Sequence, residues 1–216
     1  MTCKNLPARS GQQFSISHGD YKAVVTELGA TLRKLTYRGE DLIVSLGPDD
    51  VVSCCHGQIL IPFPNRVEGG EYTFEGKTYT LPIDEHARNN AIHGYGYRSY
   101  WKLESLTEES VALTWRTPNM AGYPFDIVAT ATYSLADDGL HLTIDAYNNG
   151  HPSMAGQRSE RIWRRDRRPQ RAVQPDAAGQ HACDRERKPD PDRHRTGGWH
   201  QVRPAQGHAA YRTALR

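Results

Sequence analysis

From Phe125 to Asn149 apolar and polar residues alternate in two long runs, FDIVATATYSL and GLHLTIDAYNN, on either side of Asp137-Asp138-Gly139. A period of two sends successive side chains to opposite faces of a strand, so this stretch predicts a long antiparallel pair. EYTFEGKTYTL repeats the pattern at shorter range, with aromatic and threonine runs flanking Glu75-Gly76-Lys77; that is a hairpin signal. WKLESLTEESVALTWRT gives a third pair around a Glu-Glu turn. Near the N-terminus, FSISHGDYKAVVTELGATLRKLTYRGEDLIVSL breaks into short alternations at His-Gly-Asp, Leu-Gly-Ala and Arg-Gly-Glu-Asp. No run carries helical spacing. Many strands at short, regular intervals predict an all-β fold, an antiparallel sandwich or barrel-like sheet.

Past Gly150 the alternation stops. RSERIWRRDRRPQR and DRERKPDPDRHRTGG have no period of either kind, and Ile162, Val173, Val202 and Leu215 are the only Val, Ile, Leu or Phe in the last 66 residues. So little apolar surface cannot offset the entropy of ordering the chain. The expectation is one β-domain over residues 1–150 followed by a disordered, Arg-rich tail over 151–216. Charge divides at the same place. Residues 1–150 hold 12 Lys and Arg against 18 Asp and Glu, whereas 151–216 hold 15 against 7. The overall net charge of +2 therefore averages two unlike segments and is no nucleic-acid signature.

Cys3, Cys54, Cys55 and Cys183 show neither zinc-type spacing nor a disulfide framework, which predicts reduced thiols and a cytoplasmic setting. No signal peptide and no membrane-length apolar run is visible. No metal or other cofactor is expected, because Cys54-Cys55-His56 cannot set two adjacent thiolates comfortably into one tetrahedral site.

The candidate chemistry lies between the hairpins. An apolar strand, Ile59–Ile61, runs into Pro62-Phe63-Pro64, and the two prolines stiffen its exit before Asn65-Arg66. Downstream, NNAIHGYGYRSYW places His93 where a strand turns into a loop. An amide, a five-donor guanidinium and an imidazole form a polar cluster suited to sugar hydroxyls. The blander reading makes Arg66 a surface residue and His93 a turn histidine bonded to backbone. Tyr95, Tyr97 and Tyr100 could stack on a sugar's apolar face or fill the core, Trp101 is assigned to the core, and His86 to a solvated loop.

The order GATLRKLTYRGEDLI, IPFPNRVEGGEYTFEGKTYTL, NNAIHGYGYRSYW, GYPFDIVATATYSLADDGLHLTIDAYNNG resembles the aldose 1-epimerase (galactose mutarotase) family. The resemblance implies an antiparallel β-sandwich of the galactose mutarotase type that binds a hexose such as glucose or galactose. It also implies interconversion of the α and β anomers by acid–base ring opening. His93 matches the histidine of the family's Leu-His-Gly motif, a catalytic donor bordering the ring oxygen. Asn65 and Arg66 match the substrate-binding Asn-Arg pair. The resemblance implies a small-molecule sugar as partner, with no nucleic acid and no membrane.

The family's second histidine and its glutamate base have no match here, so the sandwich is expected to be incomplete. His151-Pro152 has the dipeptide that accompanies the second histidine but lacks the aromatics that follow it. Should a base exist within the chain, Asp84, Glu85 and Asp145 are the first carboxylates to consider. The tail itself offers an explanation. Shifted by one nucleotide, with permitted codons, KPDPDRHRTGGWHQVRPAQGHAAYR reads NLIPTGIEPAGGTKFDLRKGMPLTG, which resembles the family's downstream Leu-Ile-Pro-Thr-Gly and Phe-Asp-Leu-Arg segments. Residues 151–216 are thus expected to be an out-of-frame translation, leaving activity impaired. The alternatives are a non-catalytic carbohydrate-binding module of the same fold and, ranked last, an Arg-rich nucleic-acid arm.

Overall fold

The computed structural model describes residues 6–149, together with the backbone of three short strands further along the chain. Twelve strands lie in the first segment: β1 (Gln13–His18), β2 (Tyr21–Thr26), β3 (Leu32–Tyr37), β4 (Glu40–Asp41), β5 (Arg66–Glu68), β6 (Glu71–Phe74), β7 (Lys77–Thr80), β8 (Asn90–Ile92), β9 (Lys102–Leu106), β10 (Ser110–Arg116), β11 (Ile127–Ala136) and β12 (Gly139–Asn148). The later three are β13 (Ser153–Met154), β14 (Gln201–Val202) and β15 (Ala209–Ala214). Among the described residues the only helical segments are two 3-10 turns, His86–Arg88 and Gly96–Arg98.

An antiparallel sheet in the order β1-β2-β3-β4 faces a second in the order β15-β12-β11-β10-β9. The facing side chains are those the alternation selects: Phe14, Ile16, Ala23, Val25 and Leu35 from one sheet, Val111, Leu113, Trp115, Ala131, Tyr133 and Leu135 from the other. Fully burying a Val, Leu, Ile or Phe side chain contributes about 1.5–3 kcal/mol relative to leaving it exposed, and this layer supplies most of the drive to fold. Burial raises the Tyr133 hydroxyl above its ordinary pKa, and its proton goes to the Ala30 carbonyl at 2.7 Å, tying the two sheets together. Trp101 is core, as expected, with its ring stacked on Trp115 at 5.9 Å and its indole N–H on the Gly96 carbonyl.

Each predicted hairpin forms. Glu75 and Gly76 both take positive φ, which matches the two-residue turn between β6 and β7. Ile59–Ile61 is different from expectation: it forms no regular strand. Its polar groups pair with loops instead, Ile59 N–H to the Gly29 carbonyl and the Ile61 carbonyl to the N–H groups of Tyr95 and Gly96. The expected disorder of 151–216 otherwise lies outside the described residues. At β13, β14 and β15 the backbone is extended and paired, which the low apolar content does not predict. The expectation of reduced cysteines fails at Cys54, which is disulfide-bonded, while Cys55 keeps its thiol. The expected cytoplasmic setting loses that support.

A second apolar cluster, Phe63, Val67, Tyr72, Leu81, Ala91, Tyr123 and Ile127, sits beneath the short β5–β8 ribbon. It fixes the platform on which the candidate residues stand.

Candidate functional site

In the β5–β8 ribbon Val67 lies opposite Ala91, and both are buried; Arg66 lies opposite Ile92, one position along, on the other face. The pleat therefore turns Arg66 outward for the same reason that it buries Val67. Asn65 and His93 flank the open end of this ribbon. Both adopt left-handed backbone conformations, φ 70° and φ 64°, a region Asn and His enter more readily than most residues. The two residues bond to each other in both directions. The Asn65 N–H donates to His93 Nδ1 at 3.0 Å, and the His93 N–H donates to the Asn65 carbonyl at 2.9 Å. A main-chain amide can only donate, so Nδ1 is the acceptor and the neutral ring carries its proton on Nε2.

Gly94 makes this approach possible. It takes φ +70°, and a Cβ there would stand 2.3 Å from the Ile61 carbonyl oxygen. Only a residue without a side chain lets the His93 turn lie against the Ile61-Pro62 segment.

Arg66 is held by a carboxylate. Its Nε donates to Glu85 Oε2 at 2.6 Å and its Nη2 to Glu85 Oε1 at 2.7 Å, while Nη1 lies 3.5 Å from Asn65 Oδ1. Arg88 and Asn90 also donate to Glu85. Bonding to Arg66 first, then to Asn90 and Arg88, holds the Glu85 carboxyl at about 2, against a smaller opposing effect of burial. The neighbouring Asp84 accepts from Arg98 at 2.6 Å. The Arg98 guanidinium lies 4.7 Å from the centre of the Tyr97 ring, and Tyr97 meets His93 edge to face at 6.1 Å.

The structure thus brings Asn65, Arg66 and His93 into one cluster. Asp84 and Glu85, the first carboxylates to consider as a base, are both engaged by arginines. Asp145 lies on β12, exposed, opposite Thr130, and is no part of the cluster. His151 lies outside the described residues. Tyr97 is buried beside His93, whereas Tyr100 is exposed and bonds to the Arg9 carbonyl elsewhere. The Tyr95 hydroxyl is buried without a hydrogen-bond partner among the described residues, and burial pushes it up to about 12. His86 is exposed in its 3-10 turn. Sequence reasoning missed Glu85, Asn90 and Arg98 as structural partners of the cluster; the one available signal was the adjacency of two carboxylates just upstream of the His93 strand. Among the described residues no three His, Cys, Asp or Glu side chains are grouped to hold a metal ion. A concavity of about 530 Å³ lies elsewhere, on the outer face of β1–β3 between Lys22 and Lys34, and includes none of these residues.

The fold and the cluster define a β-sandwich protein with a polar donor set at the end of a short ribbon. The sequence profile of the aldose 1-epimerase family matches residues 12–157, and the chain belongs to that family. It is 40% identical over 142 residues to the uncharacterized protein YihR of Escherichia coli K12, covering 65% of this chain and 46% of YihR. The GalM/aldose epimerase homologue of C. elegans superimposes with a TM-score of 0.58 at 25% identity, covering 67% of this chain and 48% of that one. Galactose 1-epimerase of Lactobacillus acidophilus superimposes with a TM-score of 0.57 at 24% identity, a likeness of fold. The chain spans about half the length of the curated relatives it matches.

Proposed function

We propose that this chain is the N-terminal, sugar-contacting part of an aldohexose mutarotase. The observation that carries the reading is the reciprocal Asn65–His93 bonding beside the clamped Arg66. It yields a guanidinium, an amide and an imidazole N–H held in one fixed arrangement. Sugars are bound through such directional donors and acceptors, supplemented by aromatic contact.

In this reading Arg66 and Asn65 bond to ring hydroxyls and the Nε2–H of His93 faces the ring oxygen. A base removes the C1 hydroxyl proton, the bond from C1 to the ring oxygen breaks as that oxygen is protonated, and closure on the opposite face of the aldehyde gives the other anomer. With Asp84 and Glu85 engaged, the base and the principal acid come from beyond the described residues, in a segment the frame-shifted reading of 151–216 would supply. One observation favours a second reading for the 216-residue chain as it stands, sugar binding without catalysis: both carboxylates beside the cluster are occupied by arginines.

Titration with glucose and galactose, followed by NMR shifts of the His93 and Arg66 side chains, tests this. Half a contact surface supports dissociation constants in roughly the millimolar range. Binding that survives Arg66→Ala unchanged, or no saturable shift with any aldohexose, would sink the proposal.

A further inference from the structure

Four donors converge on the two oxygens of Glu85. Arg66 supplies one bond to each; Arg88 Nη1 adds a second to Oε1 at 2.9 Å and Asn90 Nδ2 a second to Oε2 at 3.0 Å. The backbone is fixed as well. The Glu85 N–H donates to the Asn90 carbonyl at 3.0 Å, and the Asn90 N–H returns a bond to the Glu85 carbonyl at 3.2 Å. Asn90 lies opposite Glu68 in the same ribbon that carries Arg66. Carboxylate and guanidinium therefore hang from one paired unit and cannot drift apart independently.

The consequence is for Arg66 rather than for proton transfer. A free arginine side chain loses rotamer entropy when it is fixed. Here the fork is fixed before any ligand arrives, which removes that cost from binding. Glu85 is only 17% exposed and Arg66 42%, so the clamp sits on the inner side of the guanidinium and solvent reaches its outer side.

We infer that Glu85 is the positioning residue of the cluster, holding Arg66 through Nε and Nη2 with Nη1 beside the Asn65 amide, so that sugar hydroxyls meet a preoriented donor. This rests on the sugar-binding reading above. Arg88 and Asn90 act one step further out, by holding Glu85.

The experiment uses the 216-residue chain and two readouts. The first is the Arg66 Nε–H resonance, which a fixed ion pair shifts and protects from exchange; the second is aldohexose affinity by titration. In Glu85→Gln the protected Arg66 signal is expected to vanish while His93 keeps its Nε2–H tautomer. The dissociation constant should rise about three- to tenfold, the worth of one oriented hydrogen bond. Glu85→Asp, which retains the carboxylate, should restore part of both. An unchanged Arg66 signal in Glu85→Gln overturns the inference, as does loss of that signal with affinity unchanged. Simultaneous loss of the His93 signature also overturns it, because Glu85 would then merely hold the ribbon together. A wild-type chain that shows the protected Arg66 signal but binds no aldohexose overturns the sugar reading instead, and the signal in Glu85→Gln still decides the clamp.

Discussion

The Asn65 amide N–H and the His93 ring share a 3.0 Å hydrogen bond that assigns Nδ1 as acceptor. The His93 N–H closes the loop onto the Asn65 carbonyl. Each residue thus orients the other. The neutral form of His93 is expected to be the Nε2–H tautomer, which nitrogen-15 shifts of the ring distinguish directly. A ring protonated at Nδ1 would mean that this bond does not form in solution.

Gly94→Ala should destabilise the fold by about 2–4 kcal/mol, since it adds both a left-handed strain and a collision with fixed backbone. The added Cβ would lie 2.3 Å from an Ile61 oxygen that already accepts bonds from Tyr95 and Gly96. Gly19→Ala is the control. Gly19 has φ +54° but nothing within 4 Å of a built Cβ, so strain alone, about 1 kcal/mol, applies. Urea midpoints of the two variants should differ accordingly, and equal midpoints would show that the Ile61 contact is not rigid.

His18 links three turns. Its Nδ1 meets Glu109 at 2.8 Å in the β9–β10 turn, and its Nε2 meets Asp137 at 2.7 Å in the β11–β12 turn. Bonding to Asp137 and then to Glu109 raises its pKa above the ordinary 6.5. A raised folded pKa contributes stability that is complete below the unfolded value and is lost as pH rises through the folded one. The melting temperature of wild type should therefore exceed that of His18→Gln below about pH 6.5. The two should converge on the alkaline side of the shifted value. A constant difference from pH 5 to pH 9 would show that the imidazole acts through packing alone.

Glu85 works in the opposite sense. Its carboxyl falls from 4.5 to about 2 on folding, chiefly through Arg66. A depressed folded pKa gives stability that is present above the unfolded value and lost as pH falls through the folded one. The window is then about pH 4.5 down to about pH 2. Replacement by Gln should remove the pH dependence in that range and cost about 1–2 kcal/mol at neutral pH. Identical acid unfolding curves for wild type and Glu85→Gln would contradict this.

The strands were legible because each sheet buries one face, so that Ile127, Ala129, Ala131, Tyr133 and Leu135 alternate with exposed or half-exposed neighbours. Asn65, Arg66 and His93 were legible as residue types and, through the family resemblance, as a set. The clamp was not. Arg66 and Glu85 are nineteen positions apart, and only the register of β5 on β8 brings them together. Nothing in local periodicity carries that register. Ile59–Ile61 misled for a related reason: its apolar run records burial, and burial alone does not distinguish a strand from a segment bonded to loops.

Mutarotation needs an acid at the ring oxygen and a base at the C1 hydroxyl, each typically contributing on the order of 10²–10⁴-fold. His93 offers an N–H for the first role. For the second, the nearest carboxylates are already engaged: Glu85 accepts four hydrogen bonds and is held at about 2, and Asp84 is paired with Arg98. Glu85, so stabilised as an anion, is a weak proton acceptor. The 216-residue chain is therefore expected to convert fresh α-glucose or α-galactose at a rate barely above buffer in polarimetry. A gene in which one nucleotide restores the family frame near codon 150 should encode an active enzyme, and His93→Ala in that enzyme should slow it by about 10²-fold or more. If the 216-residue chain proves fast and His93→Ala abolishes the rate, a base lies within this chain, and Asp84, Glu85 and Asp145 are the first carboxylates to replace. If the restored frame is inactive, the out-of-frame reading of residues 151–216 is wrong.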